Sequence, residues 1–236
     1  MKKIIALALC LIMALPVLAN AQSAEHKSAR ESFIEDYLSQ AKSLYDAANG
    51  RLQSAHYSGD KYLCKNFTVY VFTQSKDKYR IAEFPDAELR IPNNLPREES
   101  KPYQYGIEWE EIPANDGNPF VMAAQFKYDK ELSKKENKQK AREFMQQVQK
   151  GDYFQMSADY YYGVGAHSLI FTKDYNAESD SVFWTDSNMK GESRKGIRYG
   201  LPQYDAEKKI DWFVDAFCHR GRGATLYRLR EDIIFK

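Results

Sequence analysis

Three short stretches of the sequence carry side chains that could together perform nucleophilic catalysis. Cys64 supplies a thiol, His167 an imidazole, and Asp186 and Asn188 supply a carboxylate and an amide two positions apart. A thiol attacks only as the thiolate, and because a free cysteine has a pKa of about 8.5, a nearby imidazole or a helix N-terminus must lower that value. The pattern therefore predicts that Cys64 is a nucleophile and His167 its base.

A third group must fix the tautomer and the orientation of His167. Side chains alternate along a strand, so Asp186 and Asn188 share a face if they lie on one strand. A hairpin that pairs residues 166–172 with 181–188 would bring one of the two beside His167. The residues alone leave both candidates open, and the stretch that begins at Asp186 is also typical of a turn.

The segment that contains Cys64 is ambiguous between helix and strand. Phe67, Val69 and Val71 alternate as in a strand, whereas Leu63, Phe67 and Tyr70 would line one face of a helix. Residue propensity favours the strand. The proposed chemistry requires a helix that begins near Cys64, because the free N–H groups of a first helical turn can both activate a thiol and hold an oxyanion. We predict a helix over residues 62–74.

The remaining periodicity predicts helices before strands. Residues 28–48 have the apolar spacing of an amphipathic helix that ends at Asn49-Gly50, and Ser133 with Glu136 begins a second helix that runs to about Gln149. Strand patterns dominate after Gly151-Asp152, at residues 153–156, 168–172, 181–185 and 224–229. This order indicates an α+β fold.

The motifs, taken in order, resemble the papain-like amidases of bacterial cell walls, the CHAP and NlpC-type groups. The order comprises Cys64 followed by Phe67, then Gly151-Asp152, then His167-Ser168-Leu169-Ile170, then Asp186 and Asn188. The stretch from Gly223 to Arg228 is similar to the last strand of such hydrolases. The resemblance covers residues 52–75 and 150–230.

This resemblance implies a papain-like fold in which an N-terminal helix and a cysteine-bearing helix pack on an antiparallel sheet. It makes Asp186 the first choice for the third catalytic residue and Asn188 the alternative, and it suggests Tyr57 as a side-chain donor to the oxyanion. Residues 78–150 would then be an inserted strand-and-helix segment. The implied reaction is hydrolysis of amide bonds in peptidoglycan peptides, without a metal or an organic cofactor.

The N-terminus has the pattern of a secretory signal peptide. Lys2 and Lys3 precede an apolar run that is too short to span a membrane, and Ala19-Asn20-Ala21 is a small-residue cleavage site. We expect residues 1–21 to be removed and residues 22–236 to form one domain, periplasmic or extracellular and at most peripheral to the membrane. The mature chain then has 32 basic and 33 acidic residues, a balance that argues against nucleic acid as a partner.

Two other classes of function are compatible with these residues. The protein could be a non-catalytic binding or structural protein in which Cys64 and Cys218 form a disulfide. It could also be a related acyltransferase or thioesterase. Cys218-His219 suggests a metal ligand pair, but no second pair has the spacing of a zinc site.

Overall fold

The structure is a computed structural model that describes residues 27–55, 61–91, 114–157, 167–192, 195–219 and 221–236. The helices in these ranges are α1 (Ala29–Ala48), α2 (Cys64–Ser75), α3 (Lys134–Met145) and α4 (Ile210–His219). The strands are β1 (Gln53–Ala55), β2 (Tyr79–Ile81), β3 (Phe120–Lys127), β4 (Tyr153–Met156), β5 (His167–Phe171), β6 (Ser181–Glu192), β7 (Arg198–Lys209), β8 (Gly223–Leu229) and β9 (Ile233–Phe235). The predicted α+β class is confirmed.

Seven strands form one sheet in the order β1-β7-β6-β5-β4-β8-β3, and every neighbouring pair is antiparallel. β2 and β9 form a separate two-stranded sheet. Side chains alternate between the two faces of a strand, and both faces of the large sheet are buried. One face packs with α1 and α2, through residues such as Tyr153 and Ile170. The other packs with α3 and α4, through residues such as Phe154 and Leu169.

Helix α1 begins and ends where the sequence predicts. Ser28 caps the N-terminus in a reciprocal capping box with Glu31, and Asn49 ends the helix in the left-handed conformation. The side chains of Phe33, Tyr37 and five other apolar or small residues on the same face are buried against the sheet and α2. This burial, rather than intrinsic propensity, supplies most of the stability of a helix of this length.

Helix α2 forms although its residues have high strand propensity. Phe67, Val71 and Phe72 recur at helical spacing, and all three are fully buried in the core shared with α1 and the sheet. Burying three large apolar side chains contributes several times more free energy than the propensity difference opposes, at about 1.5–3 kcal/mol for each side chain. The helix predicted over residues 62–74 is therefore confirmed, with its first residue at Cys64.

Several boundaries and elements differ from the sequence-based expectation. Helix α3 ends at Met145 rather than near Gln149, and the chain then turns towards β4. Strand β6 continues to Glu192 rather than ending at residue 185, because it pairs with β7 along most of its length. Neither β7 nor α4 was expected from the sequence. Within residues 78–150, strand β3 lies at an edge of the large sheet and α3 packs on its second face.

Gly151-Asp152 forms a buried junction between α1, β4 and β8. The Tyr37 hydroxyl donates a hydrogen bond of 2.7 Å to the Gly151 carbonyl, and Gly151 has a φ of +90°. The Asp152 carboxylate is buried and accepts two hydrogen bonds from the Arg228 guanidinium, both of 2.8 Å. These contacts give the Gly-Asp motif a structural role in holding the first helix to the sheet.

Replacing Tyr37 with phenylalanine should lower the free energy of unfolding by about 1–3 kcal/mol, because the fully buried Gly151 carbonyl loses its donor. Chemical denaturation followed by circular dichroism measures this difference. Tyr45→Phe is the matched control, since Tyr45 lies on the same helix with its side chain exposed. Equal denaturation midpoints for the two variants would show that the Tyr37 hydrogen bond does not stabilise the fold.

None of the helices in the described ranges has the length and apolarity that a membrane span requires.

Candidate active site

Cys64 is the first residue of α2 and is half-buried. Leu63 stands at the N-cap position, and its side chain cannot accept a hydrogen bond from the first turn. The first backbone N–H groups of a helix have no backbone acceptor in a preceding turn, and that of Lys65 bonds to the Cys64 thiol. A negative charge that develops at or beside Cys64 therefore meets backbone N–H groups and the positive end of the helix dipole.

Strands β6 and β7 hold the chain segment that leads into Cys64. The Ser187 hydroxyl donates a hydrogen bond of 2.7 Å to the Tyr62 carbonyl. Gly200, on β7, faces the same carbonyl, and a Cβ atom at this position would lie only 1.7 Å from the Tyr62 oxygen. The lack of a side chain at Gly200 thus allows the backbone just before Cys64 to approach the sheet closely.

His167 begins β5 and forms a hydrogen bond with Asp186 on β6. The hairpin predicted between these segments is present, with Ile170 opposite Thr185 and Phe171 opposite Trp184. The distance between His167 Nε2 and Asp186 Oδ2 is 2.7 Å. The side chain of His167 is 11% exposed and that of Asp186 is 1% exposed, so this contact is largely shielded from water.

One oxygen of Asp186 accepts hydrogen bonds from three side chains. Besides His167 Nε2, Oδ2 accepts from Trp184 Nε1 at 3.0 Å and from Asn188 Nδ2 at 3.0 Å. Asp186 therefore contacts the imidazole directly, whereas Asn188 contacts the carboxylate. Asp186 also lies within strand β6 rather than in the turn that its neighbours in the sequence permit.

Cys64 and His167 change each other's ionisation. Burial raises the pKa of the Cys64 thiol, but the hydrogen bond and charge of His167 and the N–H of Lys65 outweigh this effect, so the pKa is lowered overall. Burial lowers the pKa of His167, but hydrogen bonds to Asp186 and Cys64 and the negative charges of both groups raise it overall, to about 10. With Nε2 directed at Asp186, Nδ1 is the ring nitrogen left for the thiol. The arrangement favours the charged forms of both groups, the thiolate of Cys64 and the imidazolium of His167.

The other described cysteine lies far from this pair in the fold. Cys218 is near the end of α4, buried in the core on the second face of the large sheet. Cys64 belongs to α2, which packs on the first face. Both thiols are free. A disulfide between them would have to cross the sheet, so the arrangement does not support the disulfide alternative.

The structure brings together Cys64, His167, Asp186 and Asn188, and Tyr57 lies outside the described residues. The sequence analysis did not identify Trp184, Ser187 or Gly200 as parts of the site. Trp184 could have been found by the alternation that links Asp186 with Asn188, since it is two residues before Asp186. Ser187 and Gly200 had no usable sequence signal.

No group of three or more metal-ligating side chains within the described ranges is arranged to hold a metal ion.

Comparisons with known proteins give little further information. No model of a known protein family matches this sequence, and no curated protein matches it. Among solved structures, the chain is similar to a wild-type endolysin, LysIME-EF1, with 16% sequence identity and a TM-score of 0.37. The similarity covers 84% of this chain and 65% of the endolysin chain. At this TM-score the likeness carries no argument about function, which has to be inferred from the residues of this chain.

Proposed function

We propose that the protein is a cysteine hydrolase that cleaves amide bonds through an acyl-enzyme. The observation that carries this proposal is the contact chain from Cys64 to His167 to Asp186, with Cys64 at the uncapped start of α2. A nucleophile, a base and a group that orients the base are the parts that acyl transfer requires. The lowered pKa of the Cys64 thiol, caused mainly by His167, supports the same role.

In the proposed reaction the Cys64 thiolate attacks the carbonyl carbon of the scissile amide. The negative charge on the carbonyl oxygen is stabilised by the backbone N–H of Cys64 and by the start of α2. The His167 imidazolium gives its proton to the amide nitrogen, the C–N bond breaks, and the amine leaves. Neutral His167 then takes a proton from water as the water attacks the thioester, which releases the acid and regenerates Cys64.

Peptidoglycan peptides are the proposed substrates. The order of the motifs around Cys64, His167 and Asp186 resembles that of cell-wall amidases, and the N-terminal 21 residues resemble a signal peptide that would place the protein in the periplasm or outside the cell. The substrate and the enzyme would then meet in the same compartment. The test is digestion of purified cell-wall sacculi, with mass spectrometry of the released fragments. Cleavage within stem peptides or crossbridges is the expected result, and fragments cut only in the glycan would contradict it.

The rate of Cys64 alkylation by iodoacetamide should remain high to a lower pH than that of an ordinary thiol and fall only as the pH drops through the lowered pKa of the thiol. The reason is that the thiolate exists above that pKa and His167 stabilises it. In the His167→Ala variant, the midpoint of the pH profile should move to about 8.5 or higher, the range of a free or buried thiol. The measurement is mass-spectrometric mapping of alkylated peptides across pH.

Cys218 is an internal control in the same experiment, because burial raises the pKa of its thiol. It should react slowly in both proteins. A wild-type Cys64 that reacts with the profile of an ordinary thiol would refute the cysteine-hydrolase proposal. An added amine acceptor then distinguishes hydrolysis from acyl transfer, since a transferase would form the amide of that amine in place of the free acid.

A further inference from the structure

We propose that Trp184 is a positioning residue, whose indole N–H acts with the Asn188 side-chain amide to hold Asp186 Oδ2 against His167. The inference rests on the proposed function, because it assigns a role within the Cys64–His167–Asp186 arrangement. Trp184 itself does not touch the thiol or the substrate carbonyl in this proposal. It acts through Asp186.

The hydrogen bonds of Asp186 are distributed unequally between its two oxygens. Oδ2 accepts from His167, Trp184 and Asn188 at 2.7, 3.0 and 3.0 Å. Oδ1 is buried and has no hydrogen-bond partner among the described residues. A rotation of the carboxylate would therefore exchange a fully bonded oxygen for an unbonded one, so the three donors fix a single orientation.

Packing accounts for the ring of Trp184 but not for the placement of its N–H. The ring lies edge-on to Phe213, with centroids 5.8 Å apart, and the side chain is 7% exposed. A phenylalanine could make the same apolar contact. A buried indole N–H requires an acceptor, and here the acceptor is the carboxylate that contacts the histidine. The indole N–H therefore connects the core on the second face of the sheet with the Cys64–His167–Asp186 arrangement.

The two supporting donors come from the same strand as the carboxylate. Trp184 and Asn188 lie two residues before and two residues after Asp186, and both side chains reach its Oδ2 although the pairing of β6 with β7 shifts register between Trp184 and Asp186. Strand β6 pairs with β5 at Trp184 and Thr185 and with β7 along most of its length. The donors to Asp186 are thus held by the strand that carries it before substrate binds, which is the preorganisation that precise catalysis requires.

The predicted consequence is that Trp184 helps to keep His167 protonated. If the indole N–H is removed, the carboxylate has one fixed donor from its own strand instead of two. It then spends less time facing Nε2, and the imidazolium loses part of its counter-charge. A hydrogen bond to a charged group contributes a free energy of the same order as a shift of about one pKa unit. The pH at which His167 titrates should therefore fall by about one unit in Trp184→Phe.

The experiment is an NMR titration of ¹⁵N-histidine-labelled protein. The chain has four histidines, and the signal of His167 is assigned by its absence from His167→Ala. The wild-type signal should titrate near 10, the Trp184→Phe signal about one unit lower, and the Asn188→Leu signal lower as well. Trp212→Phe is the matched control, because Trp212 lies on α4 and also packs edge-on to Phe213, and it should leave the titration unchanged.

A double-mutant comparison separates positioning from a general structural effect. If Trp184 acts through Asp186, then adding Trp184→Phe to Asp186→Ala should not change the His167 titration further. An unchanged titration in Trp184→Phe would overturn the inference, as would a shift that persists without Asp186. A wild-type His167 that titrates as an ordinary histidine, with an ordinary Cys64 thiol, would instead refute the proposed function. The two failures are therefore distinguishable.

Discussion

Replacing His167 with alanine should slow amide hydrolysis by at least about 1000-fold, because the variant loses both the base that ionises Cys64 and the acid that protonates the leaving amine. Cys64→Ala should be at least as slow. Since the two residues act as one unit, the double variant should be no slower than the worse single variant. Initial rates on an amide substrate, identified first by cell-wall digestion, provide the measurement.

The pH dependence gives this prediction a second observable. Hydrolysis by the wild-type protein should fall at low pH as the Cys64 thiolate is protonated, and again as the pH rises through about 10, where His167 loses its proton. Alkylation of Cys64 needs no proton donor and should not fall at high pH. His219→Ala is the control, since His219 ends α4, which packs on the second face of the sheet. Hydrolysis that survives in His167→Ala would exclude the proposed mechanism.

Gly200→Ala should lower the rate of hydrolysis by about 100-fold although Gly200 is not itself a reacting group. An added Cβ would lie 1.7 Å from the Tyr62 carbonyl oxygen, a backbone atom that can move only with the segment leading into Cys64. A displacement of about 1 Å at a reacting group is sufficient for a loss of this size. The variant should retain its circular dichroism spectrum at the assay temperature while its turnover falls.

The matched control for Gly200 is Gly50→Ala. A Cβ at Gly50 meets no atom within 4 Å, but Gly50 has a φ of +69°, so alanine there should cost about 1–2 kcal/mol of stability without moving Cys64. Ser187→Ala removes the hydrogen bond to Tyr62 and should reduce turnover in the same direction as Gly200→Ala, but by less. Full activity in Gly200→Ala would show that the close approach of β7 does not set the position of the nucleophile.

Local patterns in the sequence were sufficient for the elements that carry their own signals. Apolar spacing from residue 28 identified α1, and Ser133 with Glu136 identified the start of α3; both helices begin with a capping box. The strand predicted at residues 153–156 matches β4. Helix α4 and strand β7 were missed. Helix α4 has only ten residues, although its buried Ile210, Phe213, Val214 and Phe217 recur at helical spacing. Strand β7 carries a proline and several charges, so it lacks the alternation that single-sequence patterns detect.

The sequence by itself determined which residue types were available for chemistry, their order along the chain and the α+β class, because these depend on composition and short-range periodicity. It also limited the group that orients His167 to Asp186 or Asn188. Only the tertiary structure shows that Asp186, and not Asn188, contacts His167, since this depends on which side chain reaches the imidazole across the β5–β6 pairing. Tertiary burial likewise decided that the strand-prone residues after Cys64 form a helix. Contacts between residues more than a hundred positions apart, such as Ser187 with Tyr62, leave no local pattern, so they become visible only when the chain is folded.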